Sequence, residues 1–499
     1  MSETNNPAPS PEGPARTRPG TPGDAGAPGD AGTPGGTAGA RLQGDLGTLD
    51  LVIMVLSYAG PLAVVGLYGA FVIGYGVGPA APLAVVMVAA GLCLFTVGYV
   101  AMSERLPRPG ALYTYVTAGL GRPLGLSSAF LANLTYLMFG VAYHAGLAIV
   151  VRGFVVTLGG PEIPWQPLVL LSLAVTCALG HFRVDVSAGI MTKLMAVQVI
   201  VVLVWNAVVL VKGGPEGRPL DSFVPANLLE GSLPIALLLS VTGFVGFEST
   251  AVFRDEVRDP ERTVPRAAYA AIITIGVFYV LSYWASTVAY GPDNVVGAAV
   301  SDPAGFFPDS VRSYLGSVAA DLVSLMLVMS YLSGVIAEQN ILARYLHALG
   351  ADGVLARKVG TVHPRHGSPH VANVLATALL AVLFVPFVGG APERPFTVLS
   401  AAAVLALLLL LTMSSVAVIA YFRRSGGEAG LWRTAVAPVL AALLMATLTV
   451  FGLLNLDVLN TSNAYVAVVL CTAVLGVVVA LVFRAVRPET YRRIGRSQV

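Results

Sequence analysis

Glu248 is a bare carboxylate inside an apolar run, preceded at short spacing by two glycines. The stretch Gly243–Ala267 reads GFVGFESTAVFRDEVRDPERTVPRA. A charge is expensive in hydrocarbon, and Gly243 and Gly246 weaken any helix that carries them. An earlier apolar run holds a second interruption, Ser57-Tyr58-Ala59-Gly60-Pro61. Pro61 lacks the N–H that a helix interior uses, so it kinks or unwinds the run. A helix broken in hydrocarbon presents unpaired N–H groups at the start of one half and unpaired C=O groups at the end of the other. Such dipoles hold a carboxylate and an ammonium without full side-chain charges. The amides around Ala59, Gly60 and Leu62 are the candidates for the carboxylate, since Pro61 has none to give. The carbonyls around Thr242, Gly243 and Val245 are the candidates for the ammonium, with Gly243 and Gly246 allowing close backbone approach. For either break alone, packing glycines and prolines are the ordinary explanation; the pairing favours a site between them.

Several side chains join this list, each with a plainer alternative. Phe244 and Phe247 are candidates to cover a bound cation with a ring face, or they pack between helices. Tyr58 and Tyr143 divide the same way. Glu248 is expected to link the second break to its neighbours and to carry a proton, or else to be a structural, hydrogen-bonded carboxylate. Glu338 is a second carboxylate in an apolar run. It adjoins Gln339-Asn340 and is expected to snorkel toward water. His144 is the histidine deepest in a span, and a structural hydrogen bond suits it better than a proton relay. Gln198 and Lys193 are the remaining candidates for coupling or gating.

The elements that must position these groups are membrane helices. The chain is 56% hydrophobic and 11% charged, with mean hydropathy +0.78. Soluble chains carry about 25% charged residues, so lipid has to be the main solvent. Twelve apolar runs are long enough to matter: Leu49–Gly74, Leu83–Met102, Leu124–Val156, Leu168–His181, Val186–Val211, Leu233–Phe253, Ala267–Ala289, Tyr314–Ile336, Val371–Val388, Phe396–Phe422, Ala435–Leu456 and Tyr465–Phe483. They are too long and too uniform for strands. With the amino terminus inside, all of the 29 basic residues but Arg152, Lys212, Arg218, Arg312 and Arg394 fall on the cytoplasmic side, as the positive-inside rule requires. The near-neutral net charge of +2 therefore hides a strong polarity and points to no nucleic acid. Cys93, Cys177 and Cys471 lie in apolar runs and read as buried, inert thiols. Breaks in the first and sixth runs imply two five-helix repeats followed by two further helices.

Residues 1–44 are Pro, Gly, Ala, Thr and Ser with few large apolar side chains, so a disordered cytoplasmic tail is expected. Residues 45–486 form the twelve-helix domain, and 487–499 a short basic cytoplasmic tail. In the loop Arg254–Arg266 the charges alternate in sign. This pattern fits a salt-bridged cap over a gate, or a solvated loop that only fixes topology. Pro260 and Pro265 are expected to define its turns, with Asp259 and Thr263 as turn and N-cap residues.

Three strings carry a family resemblance. The first is Gly246-Phe247-Glu248 followed by Asp255-Glu256-Val257-Arg258-Asp259-Pro260 and Val264-Pro265-Arg266-Ala267. The second is Ala101–Gly121, AMSERLPRPGALYTYVTAGLG. The third is Asn340–Pro369, NILARYLHALGADGVLARKVGTVHPRHGSP. In this order and spacing the chain resembles the amino acid–polyamine–organocation transporter superfamily, in its amino acid permease branch. The resemblance implies an all-α integral membrane protein with twelve transmembrane helices. Their expected arrangement is a LeuT-like 5+5 inverted repeat with helices one and six broken, two C-terminal helices and both termini cytoplasmic. It also implies that the break dipoles bind substrate. Two departures stand out. The first break is Ala59-Gly60-Pro61 rather than a Gly-x-Gly type, and the helix-five lysine of some proton-coupled relatives is replaced by Gln198, with Lys193 five residues earlier.

The function expected is a permease in a bacterial cell membrane that moves an amino acid by alternating access, with a proton as coupling ion. A small neutral amino acid is favoured, and an amine or polyamine is the alternative. No Gly-x-x-x-x-Gly-Lys pattern occurs, and the DxxxD of Asp255–Asp259 and the HxxxH of His366–His370 fall between apolar runs rather than inside one, so an intramembrane enzyme or an ATP-driven pump is disfavoured. A membrane sensor is the remaining alternative class. No cofactor or metal is expected.

Overall fold

The computed structural model describes residues 47–106, 112–182, 188–247, 250, 257–364, 367–425, 430–455 and 463–495. The expected tail 1–44 lies outside them. Long helices are α1 (Thr48–Ala59), α2 (Ala81–Arg105), α3 (Leu112–Leu120), α4 (Arg122–Thr157), α5 (Trp165–Phe182), α6 (Ala188–Lys212), α7 (Leu233–Thr242) and α8 (Pro260–Tyr290). They continue as α9 (Pro292–Ser301), α10 (Phe306–Leu315), α11 (Ser317–Ala351), α12 (His370–Phe384), α13 (Glu393–Ser425), α14 (Ala437–Leu454), α15 (Asn463–Val486) and α16 (Pro488–Arg493). No strand occurs among the described residues.

Among the described residues, nine helices are long and apolar enough to cross a membrane, against twelve runs in the sequence. The difference has a structural origin. The first two runs share the stretch Pro61–Arg105, which is divided by a kink at Gly76–Gly78, and the fourth and sixth hold the shorter apolar helices Trp165–His181 and Leu233–Thr242. Burial sorts the rest. The most apolar window of α4 is 83% buried and that of α13 is 72%, whereas the figure for α15 is 17%. Helices α4 and α13 are therefore the central pair, and α15 faces outward. The sequence separates these two kinds poorly, because a lipid-facing helix is as apolar as a central one.

Close packing in the middle depends on small residues, as expected where lipid tails compete with side chains for apolar contact. Helix α3 crosses α13 with Gly119 directly against the Ala417 carbonyl, so no side chain fits between them.

Three expectations are corrected here. Helix α11 runs to Ala351, well past Ile336; the polar pair Glu338-Gln339 ends the hydropathy signal, yet both are buried and the helix continues. Pro265 lies inside α8, and Thr263 is helical as well, with its N–H donating to the Asp259 carbonyl at 2.8 Å. Asp259 does hold the N-cap position but makes no side-chain cap bond. Pro265 is the sixth residue of the helix, so it removes one bond, to the Glu261 carbonyl, near the start of α8 without ending it. Finally, Cys471 is exposed and Cys93 and Cys177 are half-buried. On outward helices an apolar thiol needs no cover from protein.

Gly119→Ala should lower the apparent melting temperature of the purified protein by several degrees, since overpacking costs about 1–3 kcal/mol. Gly297→Ala, where a Cβ meets nothing within 4 Å, should leave it unchanged. Equal melting temperatures for the two variants would contradict the close α3–α13 crossing.

Candidate functional site

The first break is real and local. Helix α1 stops at Ala59, and Gly60 takes the left-handed conformation (φ 56°, ψ 63°) that a side chain disfavours. Pro61 then starts a new helical segment with its ring at the first position, where its missing N–H does no harm. Residues 64–68 of that segment are π-helical, a form that recurs at functional sites, and the chain kinks again at Gly76, where the backbone leaves the helical region. The second break begins where α7 ends at Thr242. Residues 243–246 form a turn, and Gly246 has φ 101°. Glu248 lies outside the described residues, as do 251–256 of the charged loop.

The two breaks meet. A Cβ on Gly243 would stand 3.2 Å from Val64 Cγ1, four residues past Gly60, and 2.6 Å from the ring of Tyr279 on α8. A Cβ on Gly60 would stand 3.6 Å from Ser330 Oγ on α11. The junction is thus walled by the two broken segments, α8 and α11.

A band of buried tyrosines lies beside it, none of them among the residues picked from sequence except Tyr143. The Tyr68 hydroxyl pairs with Ser400 Oγ at 2.9 Å, and its ring packs 4.6 Å from Phe396 and 6.4 Å from Tyr143. Tyr143 packs 5.9 Å from Tyr331. The Tyr279 hydroxyl donates to the Gly243 carbonyl at 3.2 Å, and its ring stacks on Tyr283 at 6.3 Å. Ser330 Oγ and the Tyr331 hydroxyl are buried without a hydrogen-bond partner among the described residues. Buried hydroxyls of that kind call for a ligand or water.

Glu338 sits on the same side of α11 as Tyr331, two turns along. It is 2% exposed, so the expected snorkelling does not occur. Helix α11 continues a further thirteen residues to Ala351, and a side chain that deep cannot reach bulk water. Its Cγ lies 3.7 Å from where a Cβ on Gly140 of α4 would be, and one turn before it a Cβ on Gly334 would meet the Tyr143 ring. The signal for this set was available in sequence as Tyr331, Gly334 and Glu338 at helical spacing. What was missing was the knowledge that α4 presents Tyr143 and Gly140 to that stripe.

The other sequence candidates divide. Ala59, Gly60 and Leu62 are buried at the junction, but the Gly60 N–H donates to the Leu56 carbonyl at 3.2 Å and caps α1. The Thr242 carbonyl accepts from Val245 N–H at 3.3 Å, while the Thr242 hydroxyl turns back to the Leu239 carbonyl. Each carbonyl oxygen keeps a second lone pair. Phe244 packs edge-on against Tyr279 at 6.0 Å and Phe247 edge-on against Phe95 at 5.9 Å. Both are therefore interhelical packing groups in this state. The Tyr58 side chain lies outside the described residues. His144 turns to α5, where Nδ1 pairs with Ser172 Oγ at 2.6 Å, the structural bond expected of it. Gln198 is buried on α6, Lys193 is exposed, and the contacts seen at the junction include neither. The ion pair at the start of α8, Arg262–Asp259, is 3.9 Å long and more than half exposed, too weak to lock anything alone.

No group of three or more His, Cys, Asp or Glu able to hold a metal occurs among the described residues.

Comparison with known proteins identifies the family. The sequence profile described as "Amino acid permease" matches residues 51–490. A low-affinity putrescine importer of Escherichia coli is 25% identical over 366 residues, covering 70% of this chain and 76% of the relative. An uncharacterised transporter of Mycobacterium tuberculosis is 27% identical, covering 68% and 74%. A branched-chain amino acid permease of Bacillus subtilis is 23% identical, again covering 68% and 74%. Its many apolar helices make the chain a multi-pass membrane protein. It is a transporter of amino acids or amines rather than an enzyme, and it belongs to the amino acid permease family.

Proposed function

We propose that the chain is a secondary active transporter working by alternating access, with its substrate held where the two breaks meet. The observation that carries this reading is the apposition of Gly243 to Val64, just past Gly60, beside buried, unpartnered hydroxyls. In this reading the twelve runs all span the membrane as two inverted five-helix repeats plus two helices, with both termini cytoplasmic. The Leu62 amide, at the open start of the segment after Pro61, takes the carboxylate of an amino acid in place of the Gly60 N–H, which is held by Leu56, and the carbonyls of Thr242, Gly243 and Val245 take its ammonium. The Tyr279 hydroxyl, now on the Gly243 carbonyl, competes for the position an ammonium would fill and shifts as substrate enters. Tyr143 and Tyr68 border the same space.

Glu338 favours a second reading of the substrate. A buried carboxylate near aromatic rings is a counter-charge for an amine, and one E. coli relative is named for putrescine. In the zwitterion reading the same carboxylate carries the coupling proton instead. Glu338→Gln separates the two. If Glu338 carries the proton, the variant loses pH-driven accumulation of a neutral amino acid but still exchanges it across liposomes. If it binds the amine, the variant's apparent affinity for a diamine falls by roughly tenfold or more, because a buried charge pair is broken.

Tyr279→Phe should change apparent substrate affinity about fivefold, the value of one hydrogen bond of about 1 kcal/mol, with protein yield unchanged. Unaltered affinity would place the substrate away from Gly243. Glu248→Gln should cut uptake by roughly tenfold or more while the protein still inserts; near-normal uptake removes Glu248 from the mechanism. Uptake into proteoliposomes should follow an imposed pH gradient, and a strict sodium requirement that ignores pH would reverse the coupling assignment. If no amino acid or amine raises the melting temperature or is taken up, the reading as a whole fails.

A further inference from the structure

The far end of α11 meets the carboxy-terminal helix α16 at a cavity remote in sequence from both breaks. It has a volume of about 470 Å³ and is lined by Arg357, Arg487, Arg493, Thr490, Gly353 and Leu355 among others. No carboxylate is among the described residues that line it. Among the described residues, none of the three guanidiniums is in an ion pair. All three arginines are exposed, so water screens their mutual repulsion, and an anion entering the cavity would meet three cations.

The arrangement is held in place rather than frayed. Ile494, directly after α16, is 1% exposed and packs in a cluster with Tyr113, Leu126, Ala129, Leu349 and Ala480. Arg122 lies over the Tyr491 ring at 5.4 Å. Thr490 leans on the Gly353 turn, with Oγ1 3.7 Å from where a Cβ of Gly353 would be. These contacts hold the backbone that carries Arg487 and Arg493 beside the turn that carries Arg357.

We propose that this cavity binds a phosphate group carried by an anionic phospholipid headgroup or by a small soluble phosphate compound. Guanidinium forks match phosphate oxygens in pairs, and the Thr490 hydroxyl adds a further donor. The cavity is of ordinary ligand size. Its position favours lipid. Arg487 is the first residue past α15, the outward helix whose apolar window is only 17% buried. The cavity therefore opens at the depth where headgroups lie beside that helix, a place where basic pockets take lipid headgroups.

The test uses the full-length protein stripped of lipid. Native mass spectrometry and thermal shift are run with phosphatidylglycerol, phosphatidylcholine, inorganic phosphate and pyrophosphate. Phosphatidylglycerol should bind in preference to phosphatidylcholine. The double variant Arg357→Gln/Arg493→Gln should reduce that preference by roughly tenfold or more, as expected for two basic contacts. Arg423→Gln/Arg424→Gln, an equal loss of charge at the exposed end of α13, should keep it. Stabilisation by inorganic phosphate or pyrophosphate alone, lost in the Arg357/Arg493 variant, supports the site with a soluble occupant. The proposal is overturned if the two double variants behave alike, if the Arg357/Arg493 variant keeps full selectivity, or if neither lipid nor soluble phosphate binds.

Discussion

Hydrocarbon offers no hydrogen bonds, so a peptide group that leaves its helix must find a partner inside the protein or on a solute. That constraint explains why the interruptions at Gly60 and at 243–246 stand together rather than apart. Each one separately would leave backbone dipoles exposed at a cost of several kcal/mol per group. Together, and walled by α8 and α11, they form one enclosed polar spot. Some of the need is met internally. Gly60 N–H caps α1, Val245 N–H returns to the Thr242 carbonyl, and the Tyr279 hydroxyl covers the Gly243 carbonyl. The bonds left over are what the proposed site offers a charged solute.

The side chains beside the breaks follow the same logic. A tyrosine buries a large apolar ring and keeps one hydroxyl for a partner. Tyr68, Tyr143, Tyr279, Tyr283 and Tyr331 therefore pack the interior densely while supplying polar tips. Tyr68 and Tyr279 have partners at Ser400 and Gly243. The Tyr331 hydroxyl and Ser330 Oγ do not, among the described residues. Glu338 is the costliest member of the group, since a carboxylate at 2% exposure forgoes nearly all hydration. Such a group is seldom retained in a membrane interior without a task.

Around this centre the helices grade outward from α4 and α13 to α15. The central pair can approach closely because glycine and alanine replace bulk at the crossings, as at Gly119 against Ala417. Outer helices carry their large apolar side chains toward lipid and need no such fit. The carboxy-terminal helix α16 departs from a plain basic tail, because Ile494 anchors it under α4 and α11 and so gathers arginines from distant parts of the chain.

Much of this was legible in the sequence. Hydropathy located the apolar helices, since twenty apolar residues have few alternatives to spanning lipid. Gly60-Pro61 and Gly243–Gly246 announced the breaks, because backbone conformation at glycine and proline is a local property. Tertiary structure decided what local rules do not reach. It buried Glu338 by extending α11 beyond the hydropathy signal, set Phe244 and Phe247 against neighbouring rings, turned His144 to Ser172, and assembled tyrosines from four helices into one band. Composition records that a residue prefers lipid or protein to water. Which of the two it meets depends on the neighbour across the interface, and that is a property of the packed bundle alone.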